Sequence, residues 1–477
     1  MSNLSELIGG GGGGGTIEAT ASGALANGDL VSLNSDGTVS VVAGNATYAV
    51  TSGPTISSTF LEGNNIYAAA YDPVQGKVVL IYNSVNSSRY GTAIVGTISG
   101  TTLTFGTPVT FWSTSTFQLQ NIVYEPSSGK MVVIGYTGSG QGTAIIGTVS
   151  GTSISFGTSA NFISSGLDFG SYAPALCLTG TSNQFLVAWK SGGYGRARVG
   201  TISGTSISYG TEAVFYTGGI AYADAHYNSA EDKVMVVYRD EENSSYGTAS
   251  VLSISGTTIT YGARTVFNSA TTTGSKVMYH PPSGKMLIAY GYNAVVAKAA
   301  TISGTSATYG SATTVYNSTP YYLTKNQGGF VGGGCYFTYA GSGFDGYISK
   351  LGIEGTTVVE LEPEYEFETT DFTLGCMAYD TGNNKIATFR YGNPSQTKVV
   401  TPVFTTADKF IGISDGAYSD GATATIQVVG SVDDAQSGLS AATAYYVTPD
   451  GELSASAGDP VVYAGIALSS TEILIKG

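Results

Sequence analysis

The sequence predicts an all-β protein whose main part is a seven-bladed β-propeller. Three observations predict this fold class: a strand pattern that recurs along the chain, an excess of Gly (67) and Tyr (33) in 477 residues, and a charged fraction of only 11%. This composition is typical of short strands joined by tight turns, because Gly supplies the left-handed backbone that many turns need. Four strands in a repeat of about 50 residues correspond to one propeller blade, whereas a parallel β-helix has a much shorter period.

The recurring unit contains a Ser/Glu-Gly-Thr/Pro turn followed by an amphipathic strand, as in SGTTLTFGTPVTF, SGTSISFGTSANF and SGTSISYGTEAVF. An earlier hairpin, such as YDPVQGKVVLIY or YEPSSGKMVVIGY, supplies two more strands of the unit. The turn glycine is assigned to seven positions, spaced 47 to 53 residues apart: Gly53, Gly100, Gly151, Gly204, Gly256, Gly304 and Gly355. The repeat therefore predicts seven blades.

The two ends of the array predict how the ring closes. The last unit has three strands and ends near Phe404, whereas the first marker, SGPTISSTF, is a fourth strand with no unit before it. Residues 51–60 are therefore predicted to complete the seventh blade of a propeller spanning 47–404, because closure removes the exposed edges of a linear array. Residues 16–46 and 405–477 are predicted to join as one small split β-sandwich or barrel-like domain that carries the propeller as an insertion.

Residues 1–15, MSNLSELIGGGGGGG, join a short apolar stretch to a glycine run. We predict that the apolar side chains form a plug and that the glycines thread a narrow channel in a partner protein; the alternative is a plain linker. The residues predicted to anchor the protein are Leu4, Leu7, Ile8, Gly9 and Gly15. The N-terminus lacks the pattern of a secretory signal, and no apolar run of about 18 residues predicts membrane insertion.

Charge and composition argue against several functions. A formal charge of -14 and the lack of a basic run argue against nucleic-acid binding. Three scattered cysteines predict neither disulfides nor a zinc site, and they are expected to be buried small residues. His226 and His280 have no accompanying catalytic or metal-binding pattern. We therefore expect no enzyme activity, no metal and no cofactor.

Two acidic stretches are further candidates for a functional site. VELEPEYEFETTD places Glu360, Glu362, Glu364, Glu366 and Glu368 at a spacing of two, which predicts that all five share one face of a strand. A calcium site is conceivable there, but an outer strand protected by charge and by proline is the favoured interpretation. The stretch YRDEENSS is interpreted as a solvated loop.

Recognition is predicted on one face of the propeller. The hairpin turns barely change between units, whereas the connections at the opposite ends of the strands vary in length and are aromatic. Loops on a rigid scaffold commonly carry binding residues, and aromatic side chains with polar neighbours suit sugar rings. The alternative is that half of these aromatics pack between blades. The candidate receptor-binding residues are Trp112, Phe117, Phe169, Tyr172, Tyr216, Tyr222, Tyr321 and Phe372.

Both ends of the chain carry a resemblance to a known family. GDLVSLNSDGTVSVV, the downstream segment FIGISDGAYSDGATATIQVVGSVDD and the ending AGIALSSTEILIKG resemble the terminal module of tail-fibre and related virion proteins of marine tailed phages, cyanophages included. Some of those proteins also carry a poly-Gly start and a repetitive propeller. The resemblance implies a virion structural protein that contacts other virion proteins through its N-terminal tail, and a host receptor, which we expect to be carbohydrate-like, through the propeller. It also allows a homo-oligomer such as a trimer. The alternatives are a decoration or assembly protein and, least favoured, a glycan hydrolase.

Overall fold

The computed structural model is built almost entirely from β-strands. It describes residues 15–34, 36–42, 48–53, 68–84, 90–113, 117–168, 174–291, 293–318, 320, 322–323, 330–331, 334–369, 372, 375–383, 385–390, 396–402, 406–448, 451–457 and 461–476. The all-β class predicted from the sequence is confirmed: within these residues the helical segments are the short 3-10 turns Pro281–Ser283 and Ala407–Lys409. None of the described helices has the length and apolar character needed to cross a bilayer. The chain divides into two compact units, unit 1 (Met1–Thr47 with Pro402–Gly477) and unit 2 (Tyr48–Thr401).

Unit 2 contains seven antiparallel sheets in the part of the chain that the structure describes. In sheets 1 to 5, four successive strands are hydrogen-bonded in chain order, and the fifth pairs with the third. Strands β1–β44 are numbered along the chain. The strands of sheets 1 to 5 are β5 Ala68–Asp72, β6 Lys77–Ser84, β7 Tyr90–Ser99, β8 Thr102–Phe105 and β9 Val109–Trp112; β10 Phe117–Glu125, β11 Lys130–Thr137, β12 Gly142–Ser150, β13 Ser153–Phe156 and β14 Ala160–Ile163; β15 Ala175–Leu178, β16 Gln184–Ser191, β17 Tyr194–Ser203, β18 Ser206–Tyr209 and β19 Ala213–Tyr216; β20 Ile220–Asn228, β21 Lys233–Asp240, β22 Tyr246–Ser255, β23 Thr258–Tyr261 and β24 Thr265–Thr271; β25 Thr273–His280, β26 Lys285–Gly291, β27 Val295–Ser303, β28 Ser306–Tyr309 and β29 Thr313–Tyr316.

The last two sheets of unit 2 depart from this plan. Sheet 6 has two short inner strands, and sheet 7 takes its fourth strand from the start of the unit. Their strands are β30 Tyr322–Leu323, β31 Phe330–Val331, β32 Gly334–Ala340, β33 Gly346–Glu354 and β34 Thr357–Glu368 in sheet 6, and β35 Cys376–Asp380, β36 Lys385–Arg390, β37 Gln396–Pro402 and β4 Tyr48–Ser52 in sheet 7.

The second strand of each sheet explains why the sheets stack. In β6, Val78 and Leu80 pack towards sheet 7, whereas Val79 and Ile81 pack towards sheet 2. Alternate residues of a strand point to opposite faces, so a strand covered on both faces is apolar at every position. Each fully buried aliphatic side chain of this kind contributes about 1.5–3 kcal/mol. The run KVVLIY thus encodes a strand held between two neighbours.

The seven sheets form a closed ring. Seven hydrophobic clusters each join two successive sheets, and one of them joins sheet 7 to sheet 1 through Cys376, Ala387 and Leu80. Sheets packed face to face in a ring constitute a β-propeller. Cys177, Cys335 and Cys376 are buried and unpaired within these clusters.

The D-P-x-x-G-K hairpin has a structural role in joining the first two strands. The carboxylate of Asp72 accepts hydrogen bonds from the backbone N–H groups of Val74 and Gln75, both at 3.0 Å. Lys77 donates from Nζ to Thr97 Oγ1 across the sheet at 2.9 Å. The same turn capping recurs at Glu125 and Asp380. These contacts explain why the hairpin recurs with little change.

The glycine marker predicted at position 53 is wrong. Gly100 and its five successors have φ between 57° and 62°, the left-handed conformation of a tight hairpin. Gly53 does not have a positive φ, and its N–H donates to the carbonyl of Thr397 at 2.8 Å. Because β4 comes from a distant part of the chain, sheet 7 needs no hairpin turn at this strand. The observed closing strand is Tyr48–Ser52 rather than 51–60, and residues 54–60 lie outside the described residues.

A second repeated glycine holds neighbouring sheets close at the rim. Gly106, which follows β8, lies so near sheet 2 that a Cβ would overlap the carbonyl oxygen of Thr152 in the next S-G-T turn. At Gly210 a Cβ would lie 2.6 Å from the carbonyl oxygen of Thr257. The same contact recurs at Gly157, Gly262 and Gly310. The F/Y-G dipeptide that ends the fourth strand of one sheet therefore contacts the S-G-T or E-G-T turn of the next sheet.

Unit 1 is made of two five-stranded antiparallel sheets: sheet A takes strands from both ends of the chain, and sheet B takes all of its strands from the C-terminal segment. Ile413 of sheet A packs with Val447 and Ile473 of sheet B in one core that also includes Leu30 and Val42. Sheet A has the order β1 Thr16–Thr20, β39 Thr423–Gln427, β38 Phe410–Ser414, β2 Leu30–Leu33 and β3 Val39–Val41; sheet B has the order β40 Val432–Asp433, β44 Ile473–Ile475, β43 Tyr463–Ala467, β41 Ala444–Val447 and β42 Leu453–Ser454.

We expect unit 1 to fold without unit 2. Residues 16–46 joined to 405–477 by a short Gly/Ser linker should give a cooperative thermal transition and dispersed NMR amide signals, because Val42 and Ala407 contact the same core. The matched control is 405–477 alone, which lacks β1, β2 and β3 of sheet A and should not fold. A control that melts like the joined protein would show that the N-terminal segment is not part of this domain.

Candidate functional site

Three of the eight predicted receptor-binding aromatics are buried between strands and cannot contact a ligand. Phe117 and Phe372 are almost fully buried, and Phe372 packs edge to face on Phe367 with ring centroids 4.8 Å apart. Tyr216 is buried and donates its hydroxyl to Asp240 Oδ1 at 2.6 Å. The prediction that these three residues bind a receptor is wrong. Their side chains pack into the hydrophobic clusters between neighbouring sheets.

The other predicted aromatics divide into two groups. Trp112 is half-buried and stacks on Phe117 with ring centroids 4.6 Å apart, and Tyr222 is half-buried at the start of sheet 4. Phe169, Tyr172 and Tyr321 lie outside the described residues.

Tyr222 occupies an unusual backbone position. The pairing of β20 with β21 shifts register between Ala221 and Asp224, so Tyr222 lies in a bulge at the loop end of the innermost strand. Its φ is 52°, and Ser244 and Ser245 of the adjacent loop also have positive φ, at 52° and 61°. Left-handed non-glycine residues are strained and concentrate at functional sites. The bulge redirects the Tyr222 ring to the end of the sheet where the connections vary.

A charged group surrounds this ring. The guanidinium of Arg239 lies over the Tyr222 ring, with Cζ 4.7 Å from the centroid. Glu241 binds Lys190 Nζ at 2.6 Å through Oε2 and Arg239 Nη2 at 3.3 Å through Oε1. Lys190 belongs to sheet 3, so the carboxylate joins two neighbouring sheets. We refer to Lys190, Tyr222, Arg239 and Glu241 as the Tyr222 cluster.

Two consecutive glycines, Gly218 and Gly219, lie where the chain passes close to Tyr216 and Glu241. The N–H of Glu241 donates to the carbonyl of Gly219 at 3.0 Å. A Cβ on Gly219 would lie 2.7 Å from Glu241 Oε2, and a Cβ on Gly218 would lie 2.5 Å from the hydroxyl of Tyr216. The connection between β19 and β20 therefore passes close to the ends of the Glu241 and Tyr216 side chains, which would have to shift to admit a Cβ there.

A second set of contacts supports the cluster from inside the sheet. Buried Asp240 accepts from the hydroxyl of Tyr216 and from the N–H of Glu242, and it pairs with Arg264 Nη1 at 3.4 Å. Burial raises the pKa of Tyr216 to about 12, and the neighbouring Asp240 carboxylate contributes to this rise. Asp240 and Glu241 engage different partners.

His226, His280 and Glu368 make contacts within unit 2. Burial lowers the pKa of His226, whose Nδ1 lies 2.8 Å from the carbonyl of Tyr227, and His280 contacts Ser283 Oγ at 2.9 Å. Glu368 is buried against Arg390 and Lys398, both at 3.2 Å. The prediction that five glutamates share one face is therefore wrong for Glu368, because register shifts in β34 break the alternation. Across the described ranges, no group of three or more His, Cys, Asp or Glu side chains is placed to bind a metal.

The predicted anchoring segment is described only at its end. Leu4, Leu7, Ile8 and Gly9 lie outside the described residues. The carbonyl oxygen of Gly15 accepts from the N–H of Val428 at 3.0 Å and from Ser431 Oγ at 2.6 Å.

Comparison with known proteins bears on the fold alone. No protein-family model matches the chain, and no curated protein matches it. Among solved structures, the crystal structure of Saccharomyces cerevisiae Sqt1 aligns over 76% of this chain and 99% of Sqt1, at 9% identity and a TM-score of 0.40. The propeller assignment above rests on the sheet order and on the clusters that join the sheets.

Sequence reasoning missed the polar members of the Tyr222 cluster. YRDEENSS was interpreted as a solvated loop, yet its Arg239 and Glu241 contact Tyr222 and Lys190. A signal was present: the glycine pair before IAY and the consecutive acidic residues after Arg239 both depart from the repeat. What the sequence could not show is that Lys190, about 50 residues earlier, lies beside them.

Proposed function

We propose that this protein is a virion component, a tail fibre or similar appendage, that binds a carbohydrate-like receptor on the host surface through the Tyr222 cluster. The observation that carries the proposal is the Tyr222–Arg239 stack, held by Glu241 and Lys190 in a strained bulge. The resemblance of the two chain ends to phage tail-fibre proteins supports the virion context. The seven sheets of unit 2 support a seven-bladed propeller inserted in the split unit 1.

The chemistry of the cluster suits a hydroxyl-rich ligand. Sugar rings pack on aromatic faces, and their hydroxyls bond to planar guanidinium and carboxylate groups. Such groups act best when they are held in place before the ligand arrives, which lowers the ordering cost of binding. The two ion pairs of Glu241 provide this constraint.

We expect Tyr222→Gly to lose binding without losing stability. Glycine adopts the φ of 52° without strain, so the thermal midpoint should not fall. Loss of an aromatic contact worth about 2 kcal/mol lowers affinity about 30-fold. Binding is measured on a glycan array printed with bacterial surface polysaccharides and by adsorption to host cells.

The matched control is Tyr261→Ala, which removes a tyrosine 46% exposed on the rim strand of the same sheet. It should bind like the unaltered protein. If Tyr222→Gly also adsorbs normally, the decoration or assembly role replaces receptor binding. Release of reducing sugar from the polysaccharides would instead favour the hydrolase alternative.

A further inference from the structure

Tyr194 is an exposed aromatic residue on the same hairpin as Lys190 of the Tyr222 cluster. It begins β17 directly after the two-residue turn Gly192–Gly193, and it is 41% exposed. In the register of sheet 3 it lies opposite Ser191, the residue that follows Lys190. The hairpin that contributes Lys190 to the cluster therefore carries a further aromatic ring at its tip.

An arginine holds this ring in the same way as in the Tyr222 cluster. The Arg196 guanidinium lies over the Tyr194 ring, with Cζ 5.5 Å from the centroid. Arg196 forms an ion pair with Glu212 and donates from Nε to the carbonyl of Ser191 at 3.2 Å. An aromatic ring, an arginine over it and a glutamate paired with that arginine thus occur twice in sheets 3 and 4. We refer to Tyr194, Arg196 and Glu212 as the Tyr194 group.

The Tyr194 group and the Tyr222 cluster lie on opposite faces of sheet 3. Arg198, two residues after Arg196, donates to the carbonyl of Phe162 in sheet 2 at 2.9 Å. Lys190 instead binds Glu241 in sheet 4. Because alternate residues of a strand share a face, Tyr194 and Arg196 lie on the side of sheet 2. The two groups therefore flank the same hairpin.

The tip of this hairpin leaves room for a ligand to cross. The second strands of sheets 2, 3 and 4 all have eight residues. Their connections to the third strands differ in length: residues 138–141 in sheet 2, Gly192–Gly193 in sheet 3 and residues 241–245 in sheet 4. A Cβ on either of the two glycines would meet no described atom within 4 Å beyond its chain neighbours. The tip of sheet 3 therefore forms a notch between longer connections, and its floor lacks side chains.

The chemistry of the Tyr194 group favours sugar rings over charged groups. Arg196 is already paired with Glu212, so the group offers an aromatic ring and hydrogen-bonding edges rather than a free positive charge. Aromatic rings with polar neighbours suit the mixed surface of a sugar. Packed sheets lie about 10 Å apart, so one sugar ring cannot contact groups on both faces of sheet 3. The two groups together therefore fit a chain of several sugars.

We propose that the propeller binds an elongated polysaccharide that crosses the tip of sheet 3 and packs on both Tyr194 and Tyr222. This inference rests on the receptor binding proposed above and adds the form of the ligand, a stretch of several sugars rather than a single terminal sugar. Two contacts made by one ligand raise its affinity, because the second contact is intramolecular once the first has formed.

The test is binding of the full-length protein to fragments of graded length. The fragments are prepared from the bacterial surface polysaccharide that binds most tightly on the array, and affinity is measured by isothermal titration calorimetry. Fragments that reach both rings should bind about 30-fold more tightly than the shortest fragment that binds. Tyr194→Ala should remove this gain and leave the affinity for the shortest fragment unchanged. Its thermal midpoint should also be unchanged, because Tyr194 is exposed.

The matched control is Phe344→Gly, which removes an aromatic residue 37% exposed in the corresponding connection of sheet 6. Glycine adopts its φ of 68° without strain, and this variant should bind every fragment like the unaltered protein. If Tyr194→Ala keeps the gain with length, or if both variants lose it equally, the inference is overturned. Weaker binding by Tyr222→Gly would still support the receptor site in that case. If no polysaccharide binds the unaltered protein, the receptor site and this inference both fail.

A second variant tests the notch itself. Inserting Ser-Asn-Ser between Gly192 and Gly193 lengthens the connection to the five residues found in sheet 4. Exposed loop tips tolerate insertions, so the protein should fold and keep its affinity for the shortest fragment. The added side chains should lower the affinity for long fragments to that for the shortest one. Unchanged binding of long fragments would show that the ligand does not cross sheet 3.

Discussion

Replacing Tyr48–Gly53 with a six-residue Gly/Ser linker is expected to open the ring and make the protein aggregate. β4 is the fourth strand of sheet 7, and its Val50 packs on the cluster between sheets 6 and 7. Its loss removes several ladder hydrogen bonds, each worth about 1 kcal/mol, and leaves the edge of β37 unpaired. A loss of about 5 kcal/mol is a large part of the stability of an ordinary domain.

The effect is measured by size-exclusion chromatography and thermal melting, with Val50→Thr as the control that keeps the backbone pairing. Val50→Thr should remain monomeric and melt a few degrees lower. A synthetic peptide with the sequence YAVTSG, added in excess, should restore part of the lost stability by binding as the missing strand. A soluble monomer that melts like the unaltered protein would contradict closure by β4.

Gly310→Ala is expected to destabilise the protein by about 3 kcal/mol, at the upper end of overpacking effects. The added Cβ would overlap the carbonyl oxygen of Thr356, which is backbone and cannot turn aside like a side chain. Sheets 5 and 6 would therefore have to separate at the rim.

The matched control lies six residues earlier in the same hairpin. Gly304 has φ 60° and open space where a Cβ would lie, so Gly304→Asn should cost less than about 1 kcal/mol, because Asn tolerates this conformation. Chemical denaturation of both variants measures the difference. Equal losses would show that the glycine after the rim strand is not a contact between sheets.

Some features of the site were predictable from the sequence and others were not. Tyr222 was predicted as a loop aromatic, and the structure places it half-buried beside Arg239. Phe117 and Phe372 looked equivalent in sequence but are buried, because burial depends on how neighbouring sheets stack. Lys190 and Glu241 belong to different repeats and meet only because sheets 3 and 4 pack together.

The sequence by itself predicted the repeat, its hairpin turns and four strands of each unit, because these depend on local patterns: alternating apolar residues and glycines with φ near 60°. The structure divides the predicted fourth strand into two, such as β8 and β9, and the second of these pairs with the third strand of the sheet. Only the tertiary structure decided which strand closes the ring. Gly53 matches the repeat marker in letters but not in conformation, since β4 reaches β37 from a distant part of the chain. Contacts between sheets likewise decided the burial of Glu368 against Lys398 and the pairing of Glu241 with Lys190. The physical reason is that burial and charge pairing depend on residues far apart in sequence, whereas strand and turn formation depend on near neighbours.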